Sequence, residues 1–228
     1  MNVEQRAELH RRAAVHAALA DPTRLRIVDL LATGDASASE LGATIGIPSN
    51  LLAHHVKVLE SAGVVTRRRS EGDARRSYLS LDAHEEWLLR EVSTATGATV
   101  HARRVLFVCT ANTARSHLAA AAWRRASPVP AVSAGTHPGE EVDRRAIATA
   151  ERHDLDLPDV PPRLLADTAR DQDLVITVCD RAHEELAGLD WAHWSIPDPV
   201  PAATRAAFDS AFADIAHRVT RLAPLLAS

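Results

Sequence analysis

The sequence contains few of the residues that hold a small secreted domain together. Only two of its 228 residues are cysteines, and two cysteines cannot form a disulfide framework. A reduced thiol suits a reducing compartment, where it can serve as a nucleophile. Lys57 is the only lysine, so arginine carries nearly all of the positive charge. These scarcities argue against a disulfide-stabilised secreted domain.

The sequence also lacks a long hydrophobic stretch and a marked excess of charge of one sign. No apolar run approaches the length of a membrane span, and residues 1–12 are too polar for a secretory signal. The formal net charge of −4 does not indicate nucleic-acid binding by itself, so any DNA contact needs a local basic patch. We therefore predict a cytoplasmic protein without a membrane partner.

Helix signals follow one another through the first quarter of the chain. The spacing of apolar residues predicts helices over 4–19 and 23–32. A short helix ending at Ile45 is followed by a turn and by a longer helix, whose start is predicted to be capped by Ser49 or Asn50. Two helices joined by a tight turn are typical of a helix-turn-helix motif.

A basic hairpin follows this motif. Residues 64–69 and 75–81 predict two strands, and residues 70–73 form the turn between them. The hairpin carries five arginines, namely Arg67, Arg68, Arg69, Arg75 and Arg76. Runs of charge are usually only solvated faces, but beside a helix-turn-helix this patch predicts contacts with DNA phosphates.

Residues 18–81 resemble an ArsR-type winged-helix repressor. The resemblance rests on ALADPTRLRI at 18–27 and HHVKVLESAGVV at 54–65. It implies that double-stranded operator DNA is a partner and that two copies pair through terminal helices, here 4–19 and 83–95. It also makes the helix after the turn the recognition helix. The positions that would face the DNA groove are Ser49, Asn50, Ala53, His54 and Lys57.

The winged-helix segment departs from the metal-sensing members of the family that it resembles. Many of those repressors carry a cysteine pair near the first helix of the motif, whereas residues 34–40 contain no thiol. Asp82 and His84 match part of a second, histidine-rich metal site of that family. The paired histidines expected one helix later are missing, and His101 is only a doubtful match for one of them. We therefore predict no metal in this domain.

The second half of the chain opens on a strand, a loop and a helix around Cys109. Residues 105–108 predict a buried strand, and the Ala-rich run 117–125 predicts a helix. Amides ahead of a helix N-terminus carry positive partial charge, and Arg115 adds a forked cationic donor. This field favours the thiolate of Cys109, although a core cysteine at a strand end is the alternative. The predicted oxyanion-binding residues are Thr110, Ala111, Asn112, Thr113, Ala114, Arg115 and Ser116.

From about residue 103 onward the chain resembles the low-molecular-weight tyrosine phosphatases and the arsenate reductases that share their fold, through the motif from Cys109 to Ser116. The resemblance implies that Cys109 is the nucleophile and that Arg115 holds the substrate. Asp198, which precedes a proline, would be the general acid. Cys179 matches the reductase cysteine that attacks the Cys109–arsenic adduct, and a core cysteine is again the alternative.

Other residues bear on the choice between reductase and phosphatase. The pair His193-Trp194 resembles the reductases, and Val200-Pro201 replace the aromatic pair that the phosphatases carry after their Asp-Pro. The third cysteine that thioredoxin-linked reductases need is absent from residues 180–188. We therefore expect an external thiol to close the cycle, and we predict no bound cofactor.

These patterns predict two domains. They are an ArsR-type winged helix-turn-helix of the α+β class over 1–95 and an α/β doubly wound parallel sheet of the low-molecular-weight phosphatase type over 103–228, joined by a small, polar linker over 96–102. The remaining predicted elements are strands over 129–132 and 173–179 and helices over 143–152, 182–186 and 206–226.

The predicted function is a DNA-binding transcriptional regulator fused to an arsenate reductase that acts in arsenic resistance. Two alternatives stay open: a phosphatase acting on phosphotyrosine or a small phosphomonoester, and a repressor whose loop only senses arsenate or phosphate. The predicted partners are operator DNA, an arsenate or phosphate oxyanion, a thiol reductant system and a second copy of the chain.

Overall fold

The structure is a computed structural model that describes residues 2–82 and 100–227. These residues form two compact units, the first of residues 2–69 and 75–82 and the second of residues 70–74 and 100–227. The predicted pairing helix over 83–95, with His84, and most of the predicted linker lie outside the described residues. The predicted domain boundaries therefore stay predictions.

The first unit combines helices with a small antiparallel sheet. The helices are α1 (Val3–Leu19), α2 (Pro22–Thr33), α3 (Ala38–Ile45) and α4 (Ser49–Ser61), and the strands are β1 (Ala36–Ser37), β2 (Val65–Arg69) and β3 (Ser77–Leu81). The sheet order is β1-β3-β2. Ile27, Leu31, Leu52, Leu59 and Leu79 are fully buried in its core, so each amphipathic helix contributes its apolar face.

Local caps explain where the helices of this unit begin and end. Asp21 accepts a hydrogen bond from the N–H of Arg24 at 3.0 Å, with a proline next to it in the first turn of α2. Ser37 and Glu40 form a capping box at the start of α3. The prediction that Ser49 or Asn50 caps α4 is wrong. Ser49 is already helical and Pro48 precedes it, so no side chain caps that end.

The second unit alternates strands and helices. Its strands are β4 (Val100–His101), β5 (Arg104–Cys109), β6 (Ala131–Gly135), β7 (Asp173–Thr177), β8 (Ala192–His193) and β9 (Leu226–Ala227). Its helices are α5 (Arg115–Ala126), α6 (Arg144–Arg152), α7 (Leu165–Thr168), α8 (Asp180–Leu186), α9 (Pro199–Ala202) and α10 (Arg205–Leu222), and a 3-10 turn covers Ala223–Leu225. The central sheet is parallel with the order β6-β5-β7-β8, and β4 pairs with β9 apart from it.

Pairing within the sheet shifts several predicted boundaries. The strand predicted over 129–132 lies at Ala131–Gly135, so it begins and ends later than predicted. The backbone of β5 pairs with these small residues whatever their own preference. The strand predicted over 173–179 ends at Thr177. The last helix ends at Leu222, two residues before a proline that interrupts it.

The continuous apolar run of β5 forms the centre of the second core. Its residues from Val105 to Cys109 are buried, as expected for a strand covered on both faces. Phe107 lies with its ring centroid 5.8 Å from that of Trp123 and 5.5 Å from that of Trp194. In a parallel sheet the carboxyl ends of the strands share one edge, so Cys109 and Cys179 lie at the same edge. None of the described helices is long and apolar enough to span a bilayer.

Candidate active site and DNA-reading face

The loop between β5 and α5 is held from outside by its backbone carbonyl groups. The carbonyl oxygens of Cys109, Thr110, Ala111 and Thr113 accept hydrogen bonds of 2.8 to 3.1 Å from the N–H groups of Thr136, His137, Gly139 and Asp143. Carbonyl groups that are fixed outward leave the peptide N–H groups of a loop for the opposite, concave side. The loop is therefore shaped to receive an anion.

Two glycines allow this outer segment to approach the loop. A Cβ atom at Gly135 would lie 2.6 Å from the Thr110 carbonyl oxygen, which is too close for any real contact. A Cβ atom at Gly139 would lie 2.7 Å from Cγ2 of Thr113. The close backbone packing around the loop thus requires glycine at position 135, whereas a larger residue at position 139 would displace the side chain of Thr113.

Hydrogen bonds converge on the sulfur of Cys109. Its Sγ accepts from the N–H of Asn112 at 3.2 Å and lies 3.1 Å from Oγ of Ser116. The Ser116 oxygen accepts from Nδ2 of Asn112 at 2.8 Å, which leaves its own proton for the sulfur. Asn112 has a φ of 51°, and its Oδ1 accepts from the N–H of Arg163 at 2.8 Å. Asn112 and Ser116 thus direct two hydrogen-bond donors at the sulfur of Cys109.

Arg115 and Asp198 lie against each other in the same cavity. Arg115 begins α5, so it belongs to the first helical turn rather than to the end of the loop. Its guanidinium donates to the Ile196 carbonyl at 2.9 Å and lies 3.1 Å from the Asp198 carboxylate. Burial opposes the charge of Arg115, but the sulfur atoms of Cys179 and Cys109 and the Asp198 carboxylate raise its pKa. Arg115 is therefore a permanent cation beside Cys109.

Cys179 lies in the cavity that Cys109, Arg115 and Asp198 line. Its Sγ lies 3.4 Å from Oγ1 of Thr110 and accepts from the N–H of Ala182 at 3.5 Å. Burial raises the pKa of the Cys179 thiol, and negative charge on Cys109 raises it further. Both cysteines are free thiols. Burial thus favours the neutral thiol of Cys179.

The predicted DNA-contacting residues of α4 share its exposed face. Ser49, Asn50, Ala53, His54 and Lys57 are all exposed. The opposite face is buried, and it includes His55, whose Nδ1 lies 3.6 Å from the Asp21 carboxylate. His55 is therefore structural, and α4 leaves one exposed, largely polar face.

The hairpin arginines differ in their exposure to solvent. Arg67, Arg69, Arg75 and Arg76 are exposed, whereas Arg68 is half-buried. The Nε of Arg67 donates to Glu60 of α4 at 2.8 Å, which ties the hairpin to the recognition helix. The return strand begins only at Ser77, so Arg75 and Arg76 precede it.

Comparison with known families agrees with both units. The family model described as low molecular weight phosphotyrosine protein phosphatase matches residues 104–228, more than half of the chain. The chain belongs to this family. A second model, described as a helix-turn-helix domain, matches residues 19–68. The chain therefore joins an ArsR-type helix-turn-helix unit to a low molecular weight phosphatase unit.

Two repressors are similar to the first unit. The transcriptional repressor SdpR of Bacillus subtilis is 36% identical over 55 residues, which are 24% of this chain and 61% of SdpR. A transcriptional repressor SmtB homolog of Synechocystis sp. is 33% identical over 94 residues, which are 41% of this chain and 67% of that protein. The chain thus spans about three fifths of the length of SdpR and about two thirds of the SmtB homolog.

Solved structures of both enzyme types are similar to the phosphatase unit. An arsenate reductase from Archaeoglobus fulgidus has 28% sequence identity and a TM-score of 0.45, over 53% of this chain and 98% of that chain. The tyrosine phosphatase Wzb from Escherichia coli K30 has 24% identity and a TM-score of 0.48, over 54% of this chain and 96% of that chain. The comparisons therefore leave the choice of activity within the family open.

A buried network beside Cys179 was missed from the sequence. Thr177 donates to the Asp190 carboxylate at 2.6 Å and lies 2.9 Å from Nδ1 of His193. His183 lies 2.7 Å from Asp190, and Nε2 of His193 lies 3.1 Å from Oδ1 of Asp180. The two imidazole rings stack with centroids 4.1 Å apart. In this phosphatase unit the network fixes the strand ends that carry Cys179 and the segment leading to Asp198.

The same network offers metal-ligating atoms. One ligand atom each of His183, Asp190 and His193 lies within 4.8 Å of the others, and no second group of this kind occurs in residues 2–82 and 100–227. Hydrogen bonds to one another and to Thr177 and Asp180 already account for their arrangement. That the protein binds no metal stays a prediction.

The charge of Asp180 makes the stability that this network contributes depend on pH. Burial would raise the pKa of Asp180, but hydrogen bonds from His193 and Ser195 outweigh it and lower the pKa to about 2. A carboxyl with a lowered pKa in the folded state stabilises the fold above its unfolded pKa of about 4, and it loses that contribution as the pH falls toward 2. The contribution at pH 7 is about 2 kcal/mol.

We therefore expect Asp180→Asn to lower the free energy of unfolding by about 2 kcal/mol at pH 7 and to matter progressively less as the pH falls from 4 to 2. Urea unfolding followed by circular dichroism at several pH values measures this difference. Asp171→Asn, which changes an exposed carboxyl of the same unit, is the matched control and is expected to have no such effect. A difference for Asp180→Asn that does not depend on pH would contradict the assignment.

Proposed function

We propose that the protein is a DNA-binding regulator fused to a thiol-dependent arsenate reductase. The observation that supports this choice within the family is a second free thiol, Cys179, in the cavity of Cys109, Arg115 and Asp198. Hydrolysis of a phosphate ester needs only one nucleophilic thiol, whereas reduction of arsenate needs two thiols to supply two electrons.

The first step forms a bond between sulfur and arsenic. Arsenate enters the loop, where the peptide N–H groups and the guanidinium of Arg115 bind its oxygens. The Cys109 thiolate attacks arsenic, and one arsenic–oxygen bond breaks. The Asp198 carboxyl gives its proton to the departing oxygen, which leaves as water. The adduct on Cys109 still contains pentavalent arsenic.

The second step carries the electrons. The sulfur of Cys179 attacks Sγ of Cys109, a disulfide forms, and the sulfur–arsenic bond breaks. The electron pair of that bond goes to arsenic, which becomes trivalent, and the proton of Cys179 passes to the departing arsenite. Overall, arsenate and two thiols give arsenite, one disulfide and one water. The hydroxyl of Thr110, 3.4 Å from Cys179, is placed to stabilise the attacking thiolate.

A reductant must then restore both thiols. Residues 180–188 contain no third cysteine that could relay the disulfide to the surface. We propose that an external thiol of low molecular weight, or a reductase acting directly on the Cys109–Cys179 disulfide, completes the cycle.

A single turnover tests the proposal. Reduced protein is mixed with arsenate in the absence of added thiol, and arsenite and the state of both cysteines are measured by mass spectrometry. We expect one arsenite and one Cys109–Cys179 disulfide per chain. With Cys179→Ser, which differs by one atom, we expect no arsenite until an external thiol is added, and no intramolecular disulfide under any condition. Arsenite release with both thiols still free would overturn the role of Cys179.

Phosphatase activity is the second candidate, and the position of Asp198 favours it. A carboxyl 3.1 Å from the oxyanion-binding Arg115 is placed to protonate the leaving oxygen of a phosphomonoester. In that case Cys179→Ser retains the wild-type rate on para-nitrophenyl phosphate, and arsenate yields no disulfide. The paired assays therefore separate the two activities.

The role of α4 in DNA binding has its own test. If Lys57 contacts a phosphate, Lys57→Ala is expected to weaken binding to a mixed-sequence duplex and to reduce the slope of log affinity against log salt by about 1. Fluorescence anisotropy over a salt series measures both quantities. Arg170→Ala, which removes one exposed charge from the phosphatase unit, is the control. An unchanged slope for Lys57→Ala would contradict the proposed face.

The sensing alternative differs from both enzymes in one observable. If the loop only senses an oxyanion, arsenate or phosphate changes the affinity for DNA while Cys109→Ser changes nothing in that response and no arsenite forms. Measuring the same anisotropy with and without arsenate distinguishes this outcome.

A further inference from the structure

A second cavity of the phosphatase unit lies between α5, β6 and the segment 158–163. Its volume is about 190 Å³, and none of its lining residues lines the catalytic cavity. The polar side chains that line it are His117, Arg124, Ser133 and Arg163. No carboxylate is among its lining residues. The cavity is therefore basic on its polar side.

Two buried nitrogen atoms at this cavity have no hydrogen-bond partner within the described part of the chain. They are Nε2 of His117, a residue only 3% exposed, and Nε of Arg163. Buried polar atoms in folded proteins are nearly always paired, because an unpaired one loses its hydration without compensation. The two atoms thus indicate that a ligand completes the cavity.

The positive charges of the cavity are only partly compensated. The guanidinium of Arg124 donates to the carbonyl oxygens of Ala131 and Asp156, at 3.3 and 3.0 Å. Burial lowers the pKa of Arg124, the nearby Asp156 carboxylate raises it, and the charge of Arg163 lowers it. Burial, with Arg163 and Arg124, lowers the pKa of His117 to about 4. Two cations that repel each other around a neutral imidazole favour the entry of an anion.

We propose that this cavity is a second oxyanion site, which binds a tetrahedral anion such as phosphate or arsenate between Arg124, Arg163 and His117. The guanidinium groups supply forked donors to the anion oxygens. A neutral imidazole accepts the hydrogen bond of a protonated phosphate or arsenate oxygen. The proposal for this site does not depend on whether the catalytic loop reduces arsenate or hydrolyses a phosphate ester.

The second site is coupled to the nucleophile by a short chain of contacts. The N–H of Arg163 donates to Oδ1 of Asn112, Nδ2 of Asn112 donates to Ser116, and Ser116 lies 3.1 Å from Sγ of Cys109. His117 follows Ser116 in α5. An anion bound by Arg163 and His117 would therefore contact two residues that adjoin the catalytic loop.

Calorimetric titration of the reduced full-length protein with inorganic phosphate tests the site. We expect Arg163→Gln to weaken one class of bound phosphate by about tenfold or more and to leave the other class unchanged. The change leaves the backbone N–H of residue 163 in place for Asn112. Arg170→Gln, at an exposed position of the same unit, is the control and is expected to keep the wild-type isotherm.

A second variant keeps the test decisive if Arg163→Gln fails to fold. Arg124→Gln removes the other guanidinium and is expected to weaken the same class of phosphate. Identical isotherms for wild type and for a folded variant of either arginine would overturn the second site. So would a wild-type isotherm whose entire signal is lost with Arg115→Lys.

Discussion

Replacing Cys109 by serine is expected to abolish turnover while phosphate binding survives. A serine hydroxyl is a far weaker nucleophile than a thiolate and cannot form the disulfide, so we expect the rate to fall by about four orders of magnitude or more. The anion is held by Arg115 and the loop amides, which the change leaves in place. The N–H of Asn112 and the hydroxyl of Ser116 remain as donors to the new oxygen.

Two measurements separate these effects. Turnover is followed as arsenite formation and as hydrolysis of para-nitrophenyl phosphate, and binding is followed by calorimetry with phosphate. Cys179→Ser is the matched control, because it removes the other buried thiol by the same one-atom change and is expected to keep the first chemical step. Turnover of either substrate by Cys109→Ser would disprove the mechanism.

Replacing Arg115 by lysine is expected to lower kcat/KM by about 10²- to 10³-fold although the charge is kept. The guanidinium fork reaches the Ile196 carbonyl and the Asp198 carboxylate at the same time as it faces the cavity. A single ammonium group cannot satisfy both of these and the substrate. We therefore expect weaker phosphate binding and a misplaced Asp198 together.

Steady-state kinetics and phosphate calorimetry check this prediction. Arg145→Lys is the matched control, because Arg145 also contacts a carboxylate with its fork, that of Asp143 at 2.9 Å, but lies outside the catalytic cavity. We expect that control to keep the wild-type rate within about twofold, as is usual for surface changes. A wild-type rate for Arg115→Lys would show that the fork is not used in the reaction.

The sequence predicts those parts of the fold that depend on residues close together in the chain. Asp21 with its following proline marks the start of α2, and the apolar run before Cys109 marks a buried strand, because caps and periodicity act over a few residues. The catalytic motif is local in the same sense, from Cys109 to Ser116. Within that loop Asn112 and Ser116 bond to each other and to the sulfur of Cys109.

The parts that depend on distant segments could not be predicted. The strand at 131–135 is set by its pairing with β5, which overrides small residues that favour a turn. Thr177, Asp180 and His193 meet only because β7 and β8 end, and α8 begins, at one sheet edge. The second cavity joins α5 to a segment some forty residues further along the chain, which no spacing rule connects.

The carbonyl groups of the loop are held by hydrogen bonds from residues outside the Cys109–Ser116 motif. Much of the orientation of the loop therefore depends on residues 136–143 and not on the motif itself. The four bonds come from the N–H groups of Thr136, His137, Gly139 and Asp143, which lie outside the Cys109–Ser116 motif. The motif grafted alone onto another strand–loop–helix would keep its cysteine and arginine but not the orientation of its amides. A genome search for such enzymes therefore gains discrimination by requiring the small residues at positions 135 and 139 as well.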